Sequence, residues 1–523
     1  MIRWLEIENF KGIAARQRID FAPLTLLFGA NSAGKSTILQ ALLYLHELIE
    51  RGFADVDRTE PGGNLLELGG FARLVHRHKT ESAVVLRAEF STPGGLERFG
   101  RDLTGFPFPD LDDEVESAWI ELKVTYRAET SYVGPMVESM TVGICGLPEP
   151  LVWVDTVGYL RPGDPLYLRV NLAHPTIRTA GLEVLSSWIE VSVPEPLWHS
   201  GVDPGSGQHV LGLDDIHGVD DEYGRMPLFA VSRSRVSAVP PLDEPIRVLV
   251  PEEADVPENQ QTLRDIRTFL EMSVLGTVSQ LATFLNASLY IGPLRTVPPR
   301  GFLYERAGRI TSWADGLAAW DLLLADRLTL VERTNLWLQR LGAGCQIVVQ
   351  ELGDLSADAE ELSERHVDKT VRRLLLETGA GSFVLPSEVG AGVSQMIPIV
   401  VAAVEGRSGL TMVEQPEIHV HPAMQVGLGD IFIEAVSEGR RRILLVETHS
   451  EHLLLRIMRR MRQTAEGSLP EGARPVRPED VSILFVEKDG LRSIVRKMPL
   501  NEHGELVKAW PGGFFEESLR EVF

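Results

Sequence analysis

The residues best able to do chemistry in this chain are Gly29-Ala30-Asn31-Ser32-Ala33-Gly34-Lys35-Ser36-Thr37. They fit the G-x-x-x-x-G-K-[ST] spacing of a loop that cradles phosphate. Gly29 and Gly34 let the backbone turn so that several N–H groups converge on one anion. A helix starting there adds the partial positive charge of its N-terminus. Lys35 can reach the outer phosphates of a nucleotide, and Ser36 can place its hydroxyl on Mg²⁺. Asn31, Gly34, Lys35, Ser36 and Thr37 are therefore candidate nucleotide-binding residues, with Ser36 also a candidate metal ligand.

Three distant segments carry matching chemistry. The apolar run Gly409-Leu410-Thr411-Met412-Val413 ends in Glu414, a carboxylate suited to hard, oxygen-seeking Mg²⁺. Gln415 follows it. A neutral amide can orient water but cannot take its proton, so either Glu417 or a histidine supplies a base or turnover is slow. Arg442 to Glu447 reads as a second buried strand, ending in Thr448-His449-Ser450. A histidine at the C-terminal end of such a strand lies where α/β sheets bind ligands. Finally, Ser387 to Gln395, with Gly390, Gly392 and Ser394, forms a glycine-rich turn ahead of an apolar helix from Met396 to Ala403.

Stepping outward, Leu24 to Phe28 is an apolar run of strand length, and Thr37 to Leu48 has apolar residues at helical spacing. Strand, loop and helix is the order the phosphate motif requires. Trp4 to Phe10 alternates apolar and polar residues, Lys11-Gly12 turns, and Arg18 to Phe21 resumes an extended pattern. Val84–Phe90, Trp119–Tyr126, Leu151–Val154 and Leu166–Val170 read as strands, residues 261–287 as helical, and 316–342 as one amphipathic helical pattern. His76 and His78, two apart, would share one face of a strand. Val481 to Val486 and Arg492 to Val495 form an expected hairpin around Lys488-Asp489-Gly490.

Taken in order, these motifs resemble the ATP-binding-cassette type heads of RecF-, SMC- and OLD-like AAA ATPases, over about residues 1–80 and 285–523. The resemblance implies an α/β ABC-ATPase head, a mixed sheet with flanking helices, split by a strand-rich and mixed insertion. It divides the chain into an N-terminal half-head (1–90), the insertion (91–285), a C-terminal half-head (286–480) and a small C-terminal hairpin and tail (481–523). It assigns ATP and Mg²⁺ as cofactors and Ser387–Gln395 as the signature motif. Gly392, Ser394 and Gln395 would then face nucleotide held by an opposite subunit. Glu414 becomes the Walker B carboxylate, and Gln415, Glu417 and His449 the catalytic candidates. Lys11 and Arg16 fall on the adenine side, where an ordinary exposed hairpin accounts for them equally well. "EQPEIHVHP" and "YIGPLR" resemble a bacterial defence-associated subgroup. The implied function is an ATP-driven dimeric switch with ATP-sandwiched heads, acting with a partner effector in anti-phage defence. The alternatives are a slow-turnover, ATP-gated scaffold or a DNA-end binding repair protein. Arg295 and Arg300 could meet phosphate, a partner chain, or only brace their loop.

Composition narrows the field. The 523 residues exceed one ordinary core, and 44% hydrophobic with 24% charged residues is a globular balance. A net charge of −23 repels nucleic acid overall, so contact with it needs a local patch. Arg440-Arg441-Arg442 and the set Arg456, Arg459, Arg460 and Arg462 are the two available. Cys145 and Cys345 give neither metal spacing nor a disulfide framework. With no basic-then-apolar leader and no apolar run near the roughly 20 residues of a membrane span, the expected location is cytoplasmic, away from membranes.

Overall fold

The computed structural model describes residues 1–97, 99, 103, 105–111, 115–128, 133–156, 165–189, 201–202, 209–210, 228–231, 235–250, 256–303, 311–325, 329–352, 371–379, 381–437 and 442–511. Arg440, Arg441 and the tail from residue 512 lie outside them.

The molecule is α/β, as expected. A six-stranded sheet runs in the order Leu289–Ile291, Gly409–Glu414, Arg442–Glu447, Leu24–Phe28, Val481–Asp489, Arg492–Lys497. The first five strands are parallel, and the last pairs antiparallel at the edge. Every residue of Leu24–Phe28, Gly409–Glu414 and Arg442–Glu447 is buried, which is why these segments are continuous apolar runs rather than alternating ones. Helices Lys35–Arg51, Ala391–Glu405, Pro422–Ser437 and Glu451–Ala465 connect or follow these strands.

The hairpin at Val481–Lys497 is part of this sheet, not a separate unit. Val481 to Phe485 pair in parallel with Leu24 to Phe28, directly beside the phosphate-loop strand. The boundary expected at 480/481 therefore falls inside the head. Parallel pairing between segments some 450 residues apart leaves no local signature.

A second sheet runs across the 90/91 position. Strands Ile2–Glu8, Gln17–Asp20 and Val84–Ser91 continue through Ser117–Arg127, Gly134–Ile144, Val152–Asp155 and Leu166–Val170 to Leu228–Val231, as one antiparallel sheet of eight. The inserted strands pair edge to edge on the N-terminal ones. This leaves Val84–Ser91 hydrogen-bonded on both sides instead of exposing an edge.

Several local expectations shift. His76 and His78 sit on a short 3₁₀ turn, not a strand, with His76 Nδ1 2.6 Å from the Lys11 carbonyl and His78 Nδ1 2.8 Å from that of Ala72. The 316–342 pattern forms two helices, Leu317–Ala325 and Thr329–Arg340. Residues 257–286 form a continuous helical stretch, with a π-helical segment at Glu271–Gly276. By length and composition it could cross a membrane, contrary to the reading of the sequence, but 78% of its apolar window is buried inside the protein. Its end is fastened to the helix after the phosphate loop. There Asn286 Oδ1 lies 2.7 Å from His46 Nε2, and Asn286 Nδ2 donates to Glu50 at 3.1 Å.

Candidate functional site at the C-terminal edge of the parallel sheet

In a parallel sheet the C-terminal ends of the strands share one edge, and ligands bind there. Phe28 leads from that edge into the glycine loop, Glu414 into Gln415, and Glu447 into Thr448-His449. The edge thus gathers side chains more than 370 residues apart in sequence.

The loop has the backbone a phosphate cradle needs. Gly29 has φ +142° and Gly34 φ +104°, both in territory that favours glycine. Gly34 is the N-cap of Lys35–Arg51, and no side chain caps it, so the first N–H groups of the helix stay available. Asn31 and Ser32 are exposed, whereas Lys35 and Thr37 are buried. Lys35 Nζ donates to the carbonyls of Gly29 at 3.0 Å and Ala30 at 3.1 Å, curling the loop over its own lysine.

Ser493, which no sequence pattern announces, braces this loop. Its Oγ donates to the Ala33 carbonyl at 2.6 Å, and its N–H donates to Gly12 at 2.7 Å. A Cβ on either Gly12 or Gly34 would come within 2.4 Å of Ser493 Oγ. The Lys11-Gly12 turn is thereby packed beside the phosphate loop, and burial pulls the Lys11 ammonium below its ordinary pKa. Arg16 does not join it. Its guanidinium pairs with Glu8 at 2.9 Å, Glu121 at 2.9 Å and Glu6 at 3.7 Å.

At the metal end, Ser36 Oγ donates to Glu447 Oε2 at 2.7 Å, and Lys35 Nζ stands 3.8 Å from Glu447 Oε1. Burial acts against the charges of this pair, pushing the Glu447 carboxyl up and the Lys35 ammonium down despite their attraction. Glu414 accepts a hydrogen bond from Tyr290 Oη at 2.9 Å. Burial first, and the Glu447 charge second, push the Glu414 carboxyl up to about 7. The donors gathered here, a serine hydroxyl and two carboxylates, are the hard oxygens that Mg²⁺ takes. Among the described residues no group of three or more His, Cys, Asp or Glu could hold a metal ion unaided. The serine hydroxyl and the two carboxylates fit Mg²⁺-nucleotide. Ser36, Glu414 and Glu447 would face the metal, which would supply charge neutralisation and orientation of phosphate oxygens.

A raised carboxyl pKa has a stability consequence. Glu414 keeps its proton to higher pH in the fold than in the unfolded chain, so its contribution is complete below about pH 4.5 and lost as pH rises through about 7. Without added metal, the unfolding midpoint of the wild type should fall between about pH 5 and about pH 7.5 more steeply than that of Glu414→Gln. Equal slopes would show that Glu414 ionises normally.

The remaining expected residues are brought to the same edge in different capacities. Both oxygens of Glu417 are taken, Oε2 by Thr448 Oγ1 and Oε1 by the His449 N–H, each at 2.7 Å. Glu417 thus clamps the histidine loop, whereas the sequence reading made it a possible free base. The His449 imidazole is held below its ordinary pKa, by burial and then by the Lys35 charge. Gln415 lies in the left-handed region at φ +44°, uncommon for a residue with a side chain. Its N–H donates to the Glu447 carbonyl at 2.7 Å.

Arg295 joins this strained turn to the glycine-rich helix. It is 3% exposed, and its Nη2 donates to the Glu414 carbonyl at 2.6 Å and the Gln415 carbonyl at 3.2 Å. Burial pulls its pKa down to about 10. The Gln395 side chain accepts from the Arg295 N–H at 3.0 Å and donates to the Arg295 carbonyl. Gln395 is therefore engaged as a brace, and Ser394 Oγ turns back to the Ala391 carbonyl at 3.1 Å. Gly392 packs against the loop after Glu414, where a Cβ would stand 2.5 Å from the His419 carbonyl oxygen. Arg300, by contrast, is exposed and 3.4 Å from Glu388.

The basic patches shrink. Arg442 is 1% exposed and donates to the carbonyls of Ala402 and Ala403, closing the end of helix Ala391–Glu405. Arg456 and Arg460 pair with Asp430 at 2.7 and 2.6 Å. Arg459 and Arg462 remain exposed.

Three family profiles match parts of the chain. An AAA ATPase domain matches residues 1–83, which contain the phosphate loop. An AAA domain whose description names the AbiEii toxin and type IV TA systems matches residues 304–456, which contain Ser394, Glu414, Glu447 and His449. A family of proteins of unknown function, DUF3696, matches residues 476–523. No curated protein matches the chain. Similar solved structures include an SMC head bound to the C-terminal winged-helix domain of ScpA, with 11% identity over 96% of this chain and 98% of that one, TM-score 0.37. The SMC head domain of Thermotoga maritima has 9% identity over 96% and 99%, TM-score 0.35. The Pyrococcus furiosus SMC head with an extended coiled coil, bound to the ScpA C-terminal domain, has 10% identity over 100% and 98%, TM-score 0.36. The two AAA-domain matches cover the segments that meet at the sheet edge, and they support an ATP-binding AAA-type ATPase.

Proposed function

We propose that the chain is an ATP-hydrolysing switch that closes head to head on Mg²⁺-ATP and works with a partner effector in anti-phage defence. One observation carries the dimeric part. The phosphate loop, Glu414 and His449 segments converge on one sheet edge, whereas Gly390 and Ala391, which open the glycine-rich helix, are exposed and uncapped by any side chain. A helix N-terminus exposed in this way can receive an anion carried by another copy. The defence role rests on the resemblance of the motifs and on the family description over residues 304–456.

Lys35 and the N–H groups behind Gly34 bind the phosphates, Gln415 orients a water, and the Glu417 clamp holds the Thr448-His449 loop toward them. The residue directly after Glu414 is Gln415 and not a carboxylate, so slow hydrolysis is expected. Sizing the protein with and without Mg²⁺-ATP should show a dimer only with nucleotide, and Gln415→Glu should raise turnover and shorten the dimer's life. An unchanged size with bound nucleotide would end the head-to-head reading. Nucleic-acid binding has weaker support, because only Arg459 and Arg462 of the second patch face solvent on a chain of charge −23.

A further inference from the structure

The chain departs from the pattern it resembles by carrying Gln415 after Glu414, and the fold brings another carboxylate to that place. Glu414 and Glu447 are register partners on adjacent parallel strands, so both side chains leave the same end of the sheet on the same face. The Glu447 side chain is 7% exposed. Its two oxygens address the two side chains through which a phosphate loop handles metal and phosphate: Ser36 at 2.7 Å and Lys35 at 3.8 Å. Its carbonyl fixes the N–H of Gln415. Glu447 therefore touches the metal-side hydroxyl, the phosphate-side ammonium and the backbone of the water-orienting residue.

We propose that Glu447 is an acidic group of the metal–nucleotide site, facing Mg²⁺ together with Ser36, and that it makes nucleotide binding depend on the metal. The inference deepens the reading of the chain as an ATP-binding protein and rests on it. The argument is electrostatic. An ionised Glu447 competes with a phosphate for Lys35 and repels it, so nucleotide without a divalent cation binds against this charge. With the cation present, the same carboxylate and the Ser36 hydroxyl turn to a positive charge and Lys35 is released to the phosphates. Glu414 is tethered by Tyr290, whereas Glu447 holds the metal-side hydroxyl directly. The charge absent at position 415 thus comes from the next strand.

The test is equilibrium binding of a fluorescent, non-hydrolysable ATP analogue, with EDTA and across a Mg²⁺ titration, to the full chain. Wild type should bind weakly in EDTA and tightly with Mg²⁺. Glu447→Gln should bind at least as tightly as wild type in EDTA, while its gain from Mg²⁺ falls about tenfold or more. Glu447→Asp keeps the charge but draws it back, and should shift the Mg²⁺ midpoint upward without improving binding in EDTA. A Mg²⁺ gain in Glu447→Gln within twofold of wild type would overturn the proposal. If Glu447→Gln does not fold, a wild-type Mg²⁺ midpoint in Glu447→Asp would overturn it. A general brace would weaken binding in both conditions alike, which also counts against the proposal. Wild-type protein that binds no nucleotide even with Mg²⁺ would remove the ATP reading itself, and this inference with it.

Discussion

Lys35→Ala is expected to lower nucleotide affinity about 100-fold or more, with Mg²⁺ present. The ammonium is 4% exposed and holds the carbonyls of Gly29 and Ala30. In the proposed complex it exchanges these for phosphate oxygens. Charge-assisted hydrogen bonds contribute about 1.5–3 kcal/mol each, so losing two removes two decades or more of affinity. The variant should also be less stable without nucleotide. Glu447 loses its nearest cation while Glu414 and Glu417 stay close, and a buried charge left unpaired is costly. Lys35→Arg should not rescue binding, because a planar fork cannot replace a point charge curled under its own loop. Titration with a fluorescent nucleotide and thermal unfolding of the same samples measure both effects. An affinity within about threefold of wild type would place the bound phosphates elsewhere.

Gly29→Ala should be the most damaging single methyl in the head. Gly29 has φ +142°, where an L-residue is strained by about 1–3 kcal/mol. Its Cβ would stand 2.1 Å from the Val486 carbonyl oxygen and 3.1 Å from the carbonyl carbon. Val486 is backbone of the strand beside Leu24–Phe28, and it cannot swing aside without parting two strands. Overpacking of this kind costs about 1–3 kcal/mol more. The sum, about 2–6 kcal/mol, is comparable with a whole domain's stability. The expected result is a lower urea midpoint together with loss of nucleotide binding, since the same strand delivers the loop. Gly490→Ala is the control. Its φ is +60°, but nothing lies within 4 Å of the added Cβ, so it should cost only about 1–2 kcal/mol. Equal midpoints for the two variants would show that the clash relaxes freely.

Much of the site was readable before the fold. Spacing alone marked Gly29 to Thr37, and an apolar run ending in a carboxylate marked Glu414. The same rule applied to Arg442–Glu447 marks Glu447, although Thr448-His449-Ser450 is the more conspicuous feature there. Glu417 shows what the fold adds. Its carboxylate and position suggested a base, and only the return of the histidine loop shows both oxygens occupied. Arg442 looked like a surface cation because its neighbours are arginines, yet it lies inside the fold against the end of helix Ala391–Glu405. Ser493 could not have been found, since a serine in a hairpin is ordinary until Ala33 and Gly12 are seen against it.

Short-range physics accounts for the continuous apolar strands, the glycine turn, the helix that follows, and the carboxylate and histidine at two strand ends. Those patterns repeat within a few residues, so local periodicity records them. The tertiary structure alone decided that the Val481–Lys497 hairpin closes against the phosphate-loop strand, that the inserted strands extend the N-terminal sheet, and that Glu447 meets Ser36 and Lys35. The first and last of these join residues hundreds of positions apart, and the second pairs strands across the chain between Ser91 and Ser117; backbone placement rather than local side-chain pattern decides each, so no short window of sequence contains them.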